Sequence, residues 1–185
     1  MVPAKSSGKD RVRAGANSSE DLSQAFPPIR LPIAPPYPPE EAKNVPEIPR
    51  SKNPAHPEWL YEPKWDGFRC LAFRKGRKVL LQSKAGQPLG RYFPELVETL
   101  GGLPFEQFVL DGEIVIFVNG QLSFNDLLMR IHPAASRVRK LAAETPCIFQ
   151  CFDLLVDAKG KRLTELPLEE RRAQGGERPG SLRAA

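Results

Sequence analysis

Only three cysteines, Cys70, Cys147 and Cys151, occur in the 185 residues, and no two form a C-x-x-C pair. The odd count and the spacing argue against a disulfide framework or a zinc site, and the thiols read as reduced core residues of a cytoplasmic protein. Histidine is scarcer still. His56 and His132 each stand alone beside a proline, which reads as a loop residue rather than a metal ligand. No apolar run approaches the roughly 20 residues that a membrane-spanning helix needs, so no membrane partner is expected. Met1 to Ser19 is basic and polar and lacks an apolar h-region, which excludes a secretory signal, and Asp10, Glu20 and Asp21 disfavour a transit peptide.

What is present fits one soluble domain with a real core and hardly two: 41% hydrophobic and 26% charged residues in 185. The formal net charge of +5 suits a partner that carries phosphates. Much of the excess lies at the ends, in Lys5, Lys9, Arg11 and Arg13 and in Arg171, Arg172, Arg178 and Arg183. Such arms are either backbone contacts to DNA or solvated tails.

The chain is organised around Glu62-Pro63-Lys64-Trp65-Asp66-Gly67-Phe68-Arg69. A primary amine is a poor nucleophile while protonated, so chemistry at Lys64 requires desolvation or a neighbouring cation. Trp65 and Phe68 are candidates to exclude water, Arg69 adds positive charge, and Gly67 allows a sharp bend or a close approach. Upstream, residues 1–25 read as a disordered basic arm and 26–57 as a proline-rich extended leader laid over the domain. Trp59 to Trp65, Arg69 to Arg74 and Lys78 to Ser83 read as strands, the last two joined at Lys75-Gly76-Arg77. Phe108 to Val118 and Cys147 to Val156 are further strands. Ser123 caps a helix that runs to Arg130, and Ser136 to Glu144 forms another. The class is α+β, with antiparallel sheets and flanking helices.

Asp111-Gly112-Glu113 lies inside a strongly apolar strand, where carboxylates need a cation or hydroxyl nearby unless the step is a plain bulge with Glu113 turned to solvent. Ser83-Lys84-Ala85-Gly86 and Phe93-Pro94-Glu95-Leu96 follow the first strands. Phe124-Asn125-Asp126-Leu127-Leu128-Met129-Arg130, Phe152-Asp153-Leu154-Leu155 and Leu166-Pro167-Leu168-Glu169-Glu170-Arg171-Arg172 come later.

In this order and spacing the segments resemble the covalent nucleotidyltransferases, whose signature is K-x-D-G, and most closely the bacterial repair type of ATP-dependent DNA ligase. The resemblance covers about Pro35 to Arg172 and implies an ATP-grasp-like adenylation domain, of which 58–172 would be the N-terminal part. It implies that Lys64 takes AMP from ATP as a phosphoramidate and passes it to the 5′-phosphate of nicked double-stranded DNA in repair or recombination. It places Glu62 where the family reads adenine, Asp66, Gly67 and Arg69 at the nucleotide or the nick, and Glu113 at the ribose or Mg2+. Phe152 stacks on the base, with Phe149 as substitute. Lys84 stands where the family has arginine and keeps the charge without the bidentate fork, so Arg91 shares its role or the segment is a plain polar turn. Arg130 either borders the active site or snorkels from a packed helix.

The family's E-G-[ILV]-[ILV] and K-x-K motifs do not follow, and Ala173 to Ala185 reads as an unstructured tail. Three alternatives therefore stand beside an active ligase. One is a truncated or frameshifted relic that binds DNA, another is a chain completed by a separate polypeptide, and the third is an RNA ligase or capping enzyme.

Overall fold

The structure is a computed structural model that describes residues 26–50, 52, 59, 61–174 and 181–183; the expected basic arm and His56 lie outside the described residues. Strand β1 (Phe68–Lys75) turns at Gly76 into β2 (Lys78–Ser83), the glycine taking φ +59° at the first position of a two-residue loop. A 3-10 turn (Gly90–Tyr92) leads to α1 (Pro94–Gly102), which opens with proline where a missing N–H costs nothing. Next come β3 (Gln107–Val115), the small hairpin of β4 (Phe117–Val118) and β5 (Gln121–Leu122), α2 (Phe124–Met129) and α3 (Ala135–Glu144). Strand β6 (Ile148–Val156), α4 (Leu168–Gln174) and β7 (Ser181–Arg183) complete the order. Five strands form one antiparallel sheet in the order β2-β1-β3-β6-β7. The class expected from sequence, α+β with antiparallel sheet and flanking helices, is the class observed.

Two expectations are corrected. Trp59 and Tyr61 to Asp66 join no strand, although Trp59 to Trp65 read as one. Pro63 has no N–H for a ladder and restricts the residue before it, so pairing begins only at Phe68. The segment from Ala173 to Ala185, expected to lack structure, instead extends α4 to Gln174 and supplies β7, which pairs with Ile148 to Gln150. Those three residues satisfy backbone groups that the outer edge of β6 would otherwise expose.

The sheet is covered on both faces. Strand alternation sends Cys70 and Ala72 of β1, Phe108 and Ile114 of β3 and Phe149 of β6 toward Leu96, Leu100 and Leu127 of the helices. On the other face Leu71, Phe73, Val109 and Leu155 pack against Ile33 of the leader, with Ile29, Leu31 and Tyr37 beside it. The leader is also hydrogen-bonded down: Tyr37 N–H donates to Oε1 of buried Gln82 (2.8 Å), and Gln82 Nε2 donates back to Tyr37 O (2.6 Å). All three cysteines are free; Cys70 and Cys147 are buried, and burial pushes their thiols up. No helix among the described residues is long and apolar enough to cross a membrane.

Arg130 neither borders a site nor snorkels. Its side chain is fully buried on the helical face, where Nη2 donates to Glu95 (2.7 Å to both oxygens) and to Tyr92 O (2.9 Å), with the guanidinium 5.1 Å from the Phe93 ring. Two sequence segments, Phe93-Pro94-Glu95-Leu96 and the α2 helix, thus meet through one core ion pair.

Gly67 is wedged against β3. A β-carbon there would lie 2.2 Å from the carbonyl oxygen of Ile114 and 2.9 Å from Cγ of Glu113. Gly67→Ala is expected to cost about 1–3 kcal/mol through displacement of the backbone. A lower denaturant midpoint at unchanged slope is the readout, and an unmoved midpoint would show that β1 and β3 part freely there.

Candidate active site

The face under the leader carries the polar residues. Arg69 of β1 lies opposite Glu113 of β3 in the ladder, so their side chains share that face, and Asp111 shares it two residues along. The Arg69 guanidinium grips Asp111 through both forks, Nε at 3.1 Å and Nη2 at 2.8 Å, and the Asp111 bond holds the arginine above its ordinary range. Its carbon sits 5.5 Å from the centroid of the Phe152 ring. The carboxylate demanded by the Asp-Gly-Glu step has therefore found its cation within the sheet.

Glu113 has no such clamp. Burial pushes its carboxyl up to about 7, against the opposing pull of Arg69, of the Gly67 N–H that bonds it, and of Lys64, with Asp111 adding to the rise. Gly112 between the two carboxylates leaves room for β6: a β-carbon there would meet Gln150 O and the Phe149 ring, both at 2.5 Å.

Strict alternation would send Phe152 and Asp153 to opposite faces. The ladder slips between Asp111 and Gly112, whose partners are Asp153 and Cys151, so Phe152 is an extra, bulged residue. Both side chains consequently line the same cleft of about 830 Å³, together with Glu62, Arg69, Asp111 and Arg172. That volume suits a nucleotide-sized ligand. Residues 37–43 of the leader form its far wall.

Of the residues singled out in sequence, Glu62, Arg69 and Phe152 line the cleft directly. Glu113 and Gly67 adjoin it on β3 and at the start of β1, bonded to each other. Lys64 and Asp66 are exposed and do not line the cleft, although the Lys64 charge acts on Glu113. Lys84 also stays outside the lining; it pairs at 3.3 Å with Glu41 of the leader wall. Phe149 is buried on the helical face and is no substitute for Phe152. The water exclusion expected from Phe68 is absent as well. Adjacent strand residues point to opposite faces, and Phe68 turns into the core against Phe93 (6.3 Å) and Phe124 (5.7 Å).

Asp153 carried no role in the sequence reading, and Arg171 and Arg172 entered it only as part of a basic arm, on DNA or solvated, whereas both are held in ion pairs at the cleft. Asp153 accepts both forks of Arg171 (2.8 and 2.7 Å), which fixes α4 on β6. Arg172 donates to the carboxylate of Glu62 and lies 3.4 Å from the carbonyl of Phe152. A paired Arg-Arg close to an Asp-containing strand was the available signal, and it does not say which arginine goes where.

Comparison with known proteins bears on the whole arrangement. A family model described as the ATP dependent DNA ligase domain matches residues 39–174. DNA ligase C of Mycobacterium tuberculosis is 46% identical over 145 residues, which are 78% of this chain and 38% of that protein. The bifunctional non-homologous end joining protein LigD of Bacillus subtilis is 33% identical over 130 residues, 66% of this chain and 21% of its own. Among solved structures, mycobacterial DNA ligase D complexed with ATP and MES aligns with a TM-score of 0.49 at 27% identity, covering 65% of this chain and 39% of that one. The chain spans about two-fifths of the length of DNA ligase C. With the signature lysine and the Asp-Gly-Glu strand inside the matched region, the chain belongs to the ATP-dependent DNA ligase family.

Proposed function

We propose that the chain performs the nucleotide-charging chemistry of an ATP-dependent DNA ligase. Lys64 Nζ, in its neutral form, attacks the α-phosphorus of ATP; a P–N bond forms, the bond to the β-phosphate oxygen breaks, and pyrophosphate and the amine proton leave. The observation that carries this reading is the convergence on one sheet face of Arg69, Glu113 and Phe152, with the Lys64 charge acting on the same Glu113 carboxyl. Phe152 offers a face for the adenine, and Glu62 a carboxylate at its rim. Arg69 is held in place by Asp111, leaving its remaining N–H groups to meet phosphate or nick, and Lys84 and Asp66 stand at the margin for the same partners. Lys64 is exposed, so the bound nucleotide itself supplies its water exclusion.

Among the described residues no group of three or more His, Cys, Asp or Glu could hold a metal ion. Glu113 would therefore act as a single carboxylate toward Mg2+ that arrives on the triphosphate, an arrangement common for this ion, which would neutralise phosphate charge. The adenylate then passes to the 5′-phosphate of nicked double-stranded DNA, whose 3′-hydroxyl displaces AMP. Positioning and electrostatics carry most of such a displacement. The free thiols fit a cytoplasmic setting.

Incubation with α-labelled ATP and Mg2+ tests the proposal. Covalent label on the protein that nicked DNA chases off is the expected result. A label that nicked RNA chases and nicked DNA does not would mean an RNA ligase or capping enzyme, and no label would leave a DNA-binding relic.

A further inference from the structure

The stretch that bears Lys64 has few attachments. Residues 61–66 join no strand or helix, and Glu62, Pro63, Lys64 and Asp66 are exposed. On the downstream side Gly67 is anchored, wedged on β3 with its N–H on Glu113. On the upstream side, among the described residues, a tie to the sheet runs through Glu62, whose carboxylate accepts from Arg172 of α4. Tyr61 also donates its hydroxyl to Pro49, but that carbonyl belongs to the leader.

Arg172 is well placed for this. Its neighbour Arg171 pins α4 to β6 through Asp153 and donates to Leu166 O at 2.6 Å, so the base of the Arg172 side chain is fixed. The same Nη2 that meets Glu62 lies 3.4 Å from Phe152 O, so one guanidinium joins the lysine segment, β6 and α4. Its Nε is shut away from water with no acceptor. A buried donor left unpaired is unfavourable, and this rotamer persists because the contacts at the other end of the guanidinium hold it.

Chain geometry sets the consequence of losing this tie. Lys64 lies three residues from Gly67, and three extended residues span roughly 10 Å, whereas attack at phosphorus requires an approach within roughly 3–3.5 Å. One anchored end leaves the amine free over a distance several times larger than the reaction allows; two ends do not.

We propose that Arg172 is a positioning residue for Lys64: by holding Glu62 against β6 it closes the second end of the lysine segment and confines the amine beside Glu113, at the margin of the cleft. This rests on the reading of Lys64 as the nucleophile. Trp65 reports on the segment, since its side chain borders a cavity of about 150 Å³ lined also by Glu62, Cys151 and Phe152.

The test uses the full chain in a Trp59→Phe background, which leaves Trp65 as the one indole of two. Arg172→Ala should slow single-turnover AMP labelling at saturating ATP by about 100-fold, the scale of an ångström-sized misplacement. The amplitude of nanosecond motion of Trp65, read by time-resolved anisotropy, should rise, and the melting temperature should change by only a few degrees. Arg172→Lys, which retains an ammonium for Glu62, should recover at least about ten-fold of the lost rate. An unchanged rate overturns the proposal. So does a slow rate with unchanged Trp65 motion, which would put Arg172 on the nucleotide, or an equal collapse of the melting temperature in both variants, which would make it a folding residue. If the unsubstituted chain takes no label, the ligase reading fails instead, and the anisotropy still decides whether the tether exists.

Discussion

Lys64→Arg should abolish covalent AMP, a loss of at least about 10³-fold in the labelling rate, with no measurable change in melting temperature. The substitution separates charge from nucleophilicity. Arginine keeps the positive charge that acts on Glu113, so the electrostatics of the face are retained. Its guanidinium does not deprotonate in proteins and offers no lone pair to phosphorus. Because Lys64 is exposed and joins no strand, the replacement displaces no core atom, and a stability effect within about 0.5 kcal/mol is expected. Mass spectrometry of the intact protein after incubation with ATP and Mg2+ reads the result directly. An AMP adduct on Lys64→Arg of similar extent to the unsubstituted chain would mean that another amine is the carrier and that the K-x-D-G match is incidental.

The scaffold under this chemistry was largely readable in the residues. Aromatic and β-branched runs gave β1, β2 and β6 to within one residue and the start of β3, whose end they overran by three, and Ser123 caps α2 by accepting from Asp126 N–H as its spacing implies. Asn119-Gly120, both at positive φ between β4 and β5, was an equally plain hairpin signal that the single long strand Phe108 to Val118 concealed. The lysine segment failed for the opposite reason. Trp59, Tyr61 and Trp65 have the composition of a strand, but one proline removes the donor that a ladder needs.

The site was harder, because its geometry depends on departures from regularity. Phe152 and Asp153 enter one cleft only through a bulge, which no period-two pattern encodes. Arg130, in an apolar stretch, locks a core glutamate, while Arg172, in a charged one, reaches an exposed glutamate 110 positions away. Which arginine meets which carboxylate is decided by tertiary distance, and neither spacing nor family likeness contains it.

Glu113→Gln should stabilise the chain above pH 7 while slowing AMP labelling by about 100-fold, and the first of these effects should depend on pH. The carboxyl is raised from an ordinary value of 4.5 to about 7 by burial, despite Arg69, Lys64 and the Gly67 N–H that face it, and Asp111 pushes the same way as burial. A folded state with the higher pKa binds the proton more tightly than the unfolded chain. Between about pH 4.5 and 7 the folded form retains a proton that the unfolded form has released, so stability falls as pH rises through that window and levels off above it. At roughly 1.4 kcal/mol per pKa unit the upper bound is about 3.5 kcal/mol, and partial access to water brings the expectation nearer 1–2 kcal/mol. Glutamine keeps an acceptor for the Gly67 N–H and cannot ionise. Its advantage in melting temperature, measured with chelator present, should therefore be near zero at pH 4.5, grow to pH 7 and stay constant to pH 8. An advantage that is equal at pH 5 and pH 8 would show that Glu113 titrates as an ordinary surface carboxylate. A glutamate that destabilises the folded chain where it is charged serves the fold less well than glutamine would, and under the proposed function it is the charge itself, acting with Lys64, that the reaction would use.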